Sequence, residues 1–159
     1  MQVNFRKAVI PKEISKLRAF DRGVFPEADL FTKDEWMEYE TYWMTVDRRT
    51  VGCCAFQRNV DFQEDLREDG HNPPQKGTLY IVTTGILERC QNSGLGKLLK
   101  TWEITYAKYH GFNRILTNCR KRNSRIIGLN RSLGFRVIRE TEGYYTGPTD
   151  ATIVMELEL

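Results

Sequence analysis

The chain has 159 residues, 40% hydrophobic and 28% charged, with a net charge of +3. This length and composition are typical of one folded domain spanning residues 1–159, and they argue against intrinsic disorder. The charge is small and the basic residues are mostly scattered, so the composition favours no nucleic acid partner.

The sequence predicts neither a signal peptide nor a membrane span. Residues 1–10 mix apolar with charged side chains, and no later stretch reaches the ~18 apolar residues of a membrane span. We therefore expect a cytoplasmic protein with no membrane partner. His71 and His110 lie far apart and no CxxC pair is present, so no metal site is indicated. Buried thiols are expected at Cys53, Cys54, Cys90 and Cys119.

The first part of the chain predicts a strand and two helices. Residues 3–9 alternate in polarity, and after Pro11 apolar residues recur at helical spacing through residue 20. Thr32 and Glu35 form a capping box that begins a second, short helix. Phe25 and Pro26 lie in the loop between the helices.

Next, a hairpin and a long loop are predicted. Residues 43–46 and 51–56 are rich in strand-forming side chains and are separated by a polar turn. Residues 61–77 are polar and predict a long surface loop, with a lid as one option. Its acidic pairs at 64–65 and 68–69 indicate either a solvated loop or a groove for small polycations.

A strand, a glycine turn and a helix follow in direct succession. The strand covers residues 79–87, the turn covers Gln91 to Gly96, and the helix ends at Gly111. One helix face is predicted from Leu95, Leu98, Leu99, Trp102, Tyr106 and Tyr109.

The C-terminal part predicts a strand at 114–119, a helix at 124–133, and an antiparallel pair at 135–138 and 152–157. The element order is mixed α/β without an internal repeat. The basic run of Arg120, Lys121, Arg122 and Arg125 is read either as a solvated helix entrance or as a contact to phosphates.

The glycine turn is a generic anion site, because backbone N–H groups and the helix dipole converge there. A P-loop is disfavoured, since Lys97 is followed by Leu98 and no glycine stands at the required upstream position. A dinucleotide fingerprint is disfavoured as well, because Leu99 occupies the position of the third glycine.

Gln91-Asn-Ser-Gly94-Leu-Gly96 resembles the Gln/Arg-x-x-Gly-x-Gly/Ala signature of the GNAT acetyltransferases. Asn123 with Gly134-Phe135 resembles a second GNAT motif, and residues 4–8 resemble the opening strand. The resemblance covers nearly the whole chain apart from the 61–77 loop. It implies an α/β GNAT fold with a mostly antiparallel, twisted sheet of about six to seven strands and about four helices.

The resemblance also implies how acetyl-CoA is held. The backbone at Thr84, Gly85 and Ile86 would pair with the pantetheine arm, and Asn123 would contact the coenzyme. The structural alternative for Asn123 is a helix N-cap. The pyrophosphate would lie on the turn and helix start formed by Gln91, Asn92, Ser93, Gly94, Leu95, Gly96 and Lys97.

Shorter matches resemble enzymes that acetylate protein α-amino groups, of the ribosomal-protein type. Tyr80 matches a strand tyrosine that helps to remove the amine proton, although tyrosine in a strand is also a common core residue. Phe25 and Pro26 match a substrate loop, and Tyr144 and Tyr145 match a hairpin that closes over the peptide.

Two positions depart from the family pattern. Asn118 stands where these relatives commonly carry an ionisable base, and Asn130 stands where most GNAT enzymes carry a tyrosine acid. Three readings therefore stay open: an acetyltransferase for a protein or peptide N-terminus, one for a small amine, and a non-catalytic acyl-CoA sensor. A homodimer is a further option.

Overall fold

The computed structural model describes residues 1–62 and 76–159. Most of the predicted 61–77 loop, including its acidic pairs, therefore lies outside the described residues. Those residues contain seven strands and four α-helices. In chain order they are β1 Val3–Lys7, α1 Ile14–Val24, α2 Lys33–Glu38, β2 Glu40–Val46, β3 Arg49–Arg58, β4 Thr78–Ile86, α3 Leu95–Tyr109, β5 Arg114–Arg120, α4 Ser124–Ser132, β6 Arg136–Tyr145 and β7 Asp150–Glu158.

The strands form one mixed sheet in the order β1-β2-β3-β4-β5-β7-β6. β4 and β5 are parallel, whereas β1–β2, β2–β3, β5–β7 and β6–β7 are antiparallel. The predicted architecture of a mostly antiparallel sheet of six to seven strands with four helices is confirmed.

The chain divides into two compact units. The first unit comprises residues 1–56 and 83–100, and the second comprises 57–82 and 101–159. Strand β4 and helix α3 each contribute residues to both units. That the whole chain forms a single domain stays a prediction.

In the first unit, a tight turn sets the register of the β2–β3 hairpin. Asp47 and Arg48 both have positive φ angles, 47° and 70°, as the two-residue turns that suit the twist of a hairpin require. The Asp47 carboxylate also accepts a hydrogen bond from Gln2 N–H at 2.9 Å. The predicted hairpin is confirmed, and each strand is longer than the sequence indicated.

Helix α1 is tied to β1 through Glu13. Arg6 donates to both Glu13 oxygens at 3.0 and 2.8 Å, and Val9 N–H donates at 2.7 Å. The Arg6 hydrogen bonds, with help from Val9, lower the pKa of Glu13 to about 2. The rings of Trp36 and Trp43 are fully buried in the core of this unit.

The start of α2 confirms the predicted capping box. Thr32 Oγ1 accepts from Glu35 N–H at 3.2 Å, and Glu35 accepts from Thr32 N–H at 3.0 Å. Just before it, Asp21 of α1 accepts from Phe31 N–H at 2.9 Å and is only 2% exposed. Burial is the main cause that raises the pKa of Asp21 to about 6.

In the second unit, the core forms around Phe62, Tyr80, Leu116 and Val154. Glycines with positive φ follow the two helices, Gly111 at 78° and Gly134 at 98°, as expected for helix C-termini.

The prediction of which residues form the apolar face of α3 is partly wrong. Leu95, Leu99 and Tyr106 are buried, but Leu98 is 37% exposed and Tyr109 is 85% exposed. Helical periodicity identifies the stripe that faces the core but not the width of that stripe, so apolar residues at its margins can be exposed.

Candidate functional site

The glycine turn of the first unit is fixed to the end of β4 by the side chain of Gln91. Gln91 Nε2 donates to the Ile86 carbonyl at 3.0 Å, and Ser93 Oγ donates to the Cys90 carbonyl. Asn92 and Gly94 have positive φ angles of 62° and 82°. Gln91, predicted as a cofactor contact, therefore orients the turn.

The turn presents backbone donors where α3 begins. Leu98 N–H donates to Gly94 O at 3.1 Å, so the amides of Leu95 and Gly96 belong to the first helical turn, where N–H groups lack a partner within the helix. Residues 91–94 are exposed. The helix dipole adds partial positive charge at the same place.

Space beside the two glycines is open. Among the residues that the structure describes, a Cβ atom at Gly94 would meet no atom within 4 Å, and one at Gly96 would meet only Ile86 Cγ1 at 4.0 Å. A diphosphate could therefore approach this backbone closely. The residues present fit the pyrophosphate of a coenzyme, with Lys97 exposed in the same helical turn.

At the end of β4, Gly85 lies against the C-terminal end of α1. A Cβ at Gly85 would lie 3.1 Å from Phe25 Cε2, 3.2 Å from Val24 Cγ1 and 3.3 Å from Phe20 Cε1. The structure thus brings Phe25 of the predicted substrate loop to a predicted coenzyme strand. Pro26 follows directly in extended conformation.

The pairing of β4 with β5 covers only part of β4. The parallel register runs from Thr78↔Arg114 to Ile81↔Thr117, while β4 continues to Ile86. Residues 84–86 thus lie beyond the described β4–β5 ladder.

In the second unit, one amide joins two tyrosines. Tyr80 Oη donates to Asn118 Oδ1, and Asn118 Nδ2 donates to Tyr145 Oη at 3.0 Å. Tyr80 is 4% exposed, so it is a core residue with a hydrogen-bonded hydroxyl. The sequence singled out both tyrosines but gave no sign that Asn118 joins them.

Phe62 supports this group and was missed. The centroid of its fully buried ring lies 4.8 Å from that of Tyr144 and 6.3 Å from that of Tyr80. The ring centroids of Tyr144 and Tyr145 are 4.9 Å apart. The preceding Asp61 pairs with Arg139 of β6. The sequence signal was an aromatic residue at the border of a polar loop.

The basic run holds the β6–β7 turn. Arg120 lies 4.5 Å from the Tyr145 ring and donates to the carbonyls of Thr146, at 2.9 Å, and Pro148. Arg122 pairs with Asp150 at 3.0 Å, and Lys121 pairs with Glu140 at 2.6 Å. Three of its four members therefore have structural partners in the hairpin.

Asn123 and Asn130 have structural partners as well. Asn123 Oδ1 accepts from Ile126 N–H at 3.3 Å, so the N-cap interpretation is confirmed. Asn130 is 1% exposed, and its amide points at Met155 Sδ, 3.6 Å away. The coenzyme contact of Asn123 stays a prediction.

Three cysteines, Cys53, Cys54 and Cys119, are buried, and Cys90 is partly exposed. Within residues 1–62 and 76–159, no group of three or more His, Cys, Asp or Glu side chains is arranged to hold a metal. Across the same ranges, no helix has the length and apolarity needed to cross a bilayer.

Comparisons with known proteins identify the family and the fold. The model of the Acetyltransferase (GNAT) family matches residues 12–135. The comparison with curated proteins gave no match.

Three solved structures illustrate the shared fold. The ribosomal-protein-S18-alanine N-acetyltransferase from Escherichia coli is 16% identical, with a TM-score of 0.77 over 99% of this chain and 94% of that one. The loading GNATL domain of CurA from Lyngbya majuscula is 14% identical, with a TM-score of 0.80 over 99% and 98%. A Bacillus subtilis acetyltransferase in complex with CoA is 18% identical, with a TM-score of 0.73 over 99% of both chains.

The family match covers well over half of the chain, so this protein belongs to the GNAT acetyltransferase family. It is an acetyltransferase that uses acetyl-CoA as the donor.

Proposed function

We propose that this enzyme acetylates the α-amino group of a protein or peptide. The observation that carries the proposal is the hydrogen-bonded chain from Tyr80 through Asn118 to Tyr145. This chain connects the Tyr80 hydroxyl, which is proposed to meet the amine, with the Tyr145 hydroxyl, which is proposed to bind the peptide.

The transfer forms one bond and breaks another. The amine nitrogen bonds to the thioester carbonyl carbon, and the carbon–sulfur bond breaks. The nitrogen loses one proton and the departing thiolate gains one, so the products are an amide and the free thiol of CoA.

The proton balance favours an α-amine. Its reference pKa is about 7.7–8.0, whereas that of a lysine amine is about 10.4, so deprotonating lysine costs about 3.5 kcal/mol more. Asn118 cannot take a proton at neutral pH. Because Tyr80 gives its hydrogen to Asn118, it meets the amine with oxygen lone pairs, and an ordered water would carry the proton away.

Acetyl-CoA would be held largely by backbone groups. The amides of residues 92–97 would bind the pyrophosphate, supported by the open space beside Gly94 and Gly96. The backbone of residues 84–86, beyond the described ladder with β5, would pair with the pantetheine arm. Asn123, whose Oδ1 caps α4, would contact the coenzyme through its amide nitrogen.

The test is release of free thiol from acetyl-CoA with an acceptor panel. The panel contains three kinds of acceptor. The first are peptides with free N-termini, and the second are the same peptides with a blocked N-terminus and a lysine residue. The third are small amines, namely polyamines and amino acids. We expect release with free peptide N-termini and little with the other acceptors. Turnover of small amines alone would contradict the proposal, and coenzyme binding without any turnover would indicate a sensor.

A variant at the hairpin sharpens this test. Tyr145→Phe removes one hydroxyl, which accepts from Asn118, and leaves the ring under Arg120. We expect the KM for the peptide to rise several-fold while the KM for acetyl-CoA stays unchanged.

A further inference from the structure

We propose that Asn118 is a positioning residue of the reaction, whose one amide group fixes the hydroxyl directions of both Tyr80 and Tyr145. The inference rests on the proposed function, in which these two tyrosines meet the acceptor. It assigns a directional role to a side chain that cannot exchange a proton at neutral pH.

The backbone of Asn118 is held firmly. β5 pairs with β7 along its whole length, and Asn118 lies opposite Val154 in that register. From this position the partly buried side chain reaches both hydroxyls, accepting from Tyr80 and donating to Tyr145.

The two ends of an amide differ, and this difference gives the chain its direction. A tyrosine hydroxyl has one hydrogen, and Tyr80 gives it to Asn118, so Tyr80 can meet any other group only as an acceptor. Tyr145 receives a hydrogen from Asn118 and therefore directs its own hydrogen to a different partner. A carboxylate would accept from both hydroxyls and reverse the direction at Tyr145.

The rings themselves have other supports. Tyr80 packs with Phe62 at 6.3 Å, and Tyr145 lies under Arg120 at 4.5 Å. A change of the amide should therefore alter the hydroxyl directions and leave the rings in place.

Asn118→Asp tests this, because the two side chains have nearly the same shape. Above the pKa of the new carboxyl, we expect a peptide KM about 5–10-fold above wild type at the same pH, with an unchanged acetyl-CoA KM. The ratio of the variant's peptide KM to the wild-type peptide KM should return toward one as the pH falls, because a protonated carboxyl can again donate to Tyr145. Adding Tyr145→Phe should raise the peptide KM no further.

Asn59→Asp is the matched control. It adds the same charge to an exposed position of the second unit, where the side chain oxygen still accepts from Gly77 N–H at 3.0 Å. This variant should show wild-type KM values throughout. A peptide KM equal to that of wild type at every pH in Asn118→Asp would overturn the proposal. A double variant in which the effects of the two substitutions on the peptide KM multiply would overturn it as well.

A second measurement needs no acceptor. In protein labelled with 3-fluorotyrosine, the ¹⁹F resonances of Tyr80 and Tyr145 are assigned with the two phenylalanine variants. Asn118→Asp should shift both resonances, with a common pH midpoint. If they shift but no peptide is acetylated, the acceptor assignment fails while the bridge stands. If neither shifts, the bridge is contradicted.

Discussion

Phe25 lies against Gly85, close enough that a Cβ at Gly85 would stand 3.1 Å from the Phe25 ring. Gly85→Ala should therefore overpack this contact and lower the free energy of unfolding by about 1–2 kcal/mol. Urea unfolding measures the effect. Gly23→Ala, where an added Cβ meets no atom of residues 1–62 and 76–159 within 4 Å, should be neutral or stabilising because alanine favours a helix.

The cause can be isolated with a double variant. If the clash with the Phe25 ring is responsible, Gly85→Ala combined with Phe25→Ala should cost less than the sum of the two single changes. Additive costs would show that the Phe25 ring does not limit the space at Gly85.

Gly96→Ala should weaken CoA binding by at least about tenfold, because the new methyl group blocks close approach of a phosphate to the backbone. The protein itself can accept the methyl group, whose nearest neighbour would be Ile86 Cγ1 at 4.0 Å. Calorimetry with CoA measures the affinity. Gly94 is a poorer probe, because its φ of 82° adds backbone strain to any substitution.

Gly128→Ala is the control for that experiment. Gly128 lies in α4, and a Cβ there meets no atom of the described part of the chain within 4 Å. This variant should bind CoA like wild type. Unchanged affinity in Gly96→Ala would place the pyrophosphate elsewhere.

How far the sequence predicted the fold depends on the range of the signals involved. The capping box at Thr32 and Glu35 and the turn at Gln91 to Gly96 are local, and both formed as expected. The bridge from Asn118 to Tyr145 joins residues 27 positions apart, and no local pattern marks it. Phe62 was hidden for the same reason, since its neighbours in the sequence are polar while its contacts are distant.

Tyr80→Phe should lower kcat by roughly 10–100-fold and leave the CoA affinity unchanged. The variant keeps the ring that packs with Phe62 and removes only the hydroxyl that Asn118 orients. Steady-state kinetics on the best peptide acceptor measures the change. Wild-type turnover in a folded variant would restrict Tyr80 to a packing role.

Asp21→Asn should change how stability depends on pH. The folded carboxyl has a pKa of about 6, raised from 3.8 mainly by burial, so the folded state binds more protons between these values. Wild-type stability should therefore fall as the pH rises from about 4 to 6. Asparagine has no charge to bury and can still accept from Phe31 N–H.

Urea midpoints at several pH values between 4 and 8 measure this effect. At pH 7, Asp21→Asn should be more stable than wild type by about 1–2 kcal/mol, and its midpoint should not show the wild-type fall from pH 4 to 6. Parallel plots of urea midpoint against pH for wild type and Asp21→Asn would mean that burial does not raise the pKa of the Asp21 carboxyl.

Selection of an α-amine over a lysine amine is the property that most sharply distinguishes the proposed function. It is tested most directly with one peptide that has both a free N-terminus and an internal lysine, incubated with acetyl-CoA at neutral pH and mapped by mass spectrometry. We expect a single acetyl group on the N-terminal nitrogen. Acetylation of the lysine side chain with an unmodified N-terminus would contradict it.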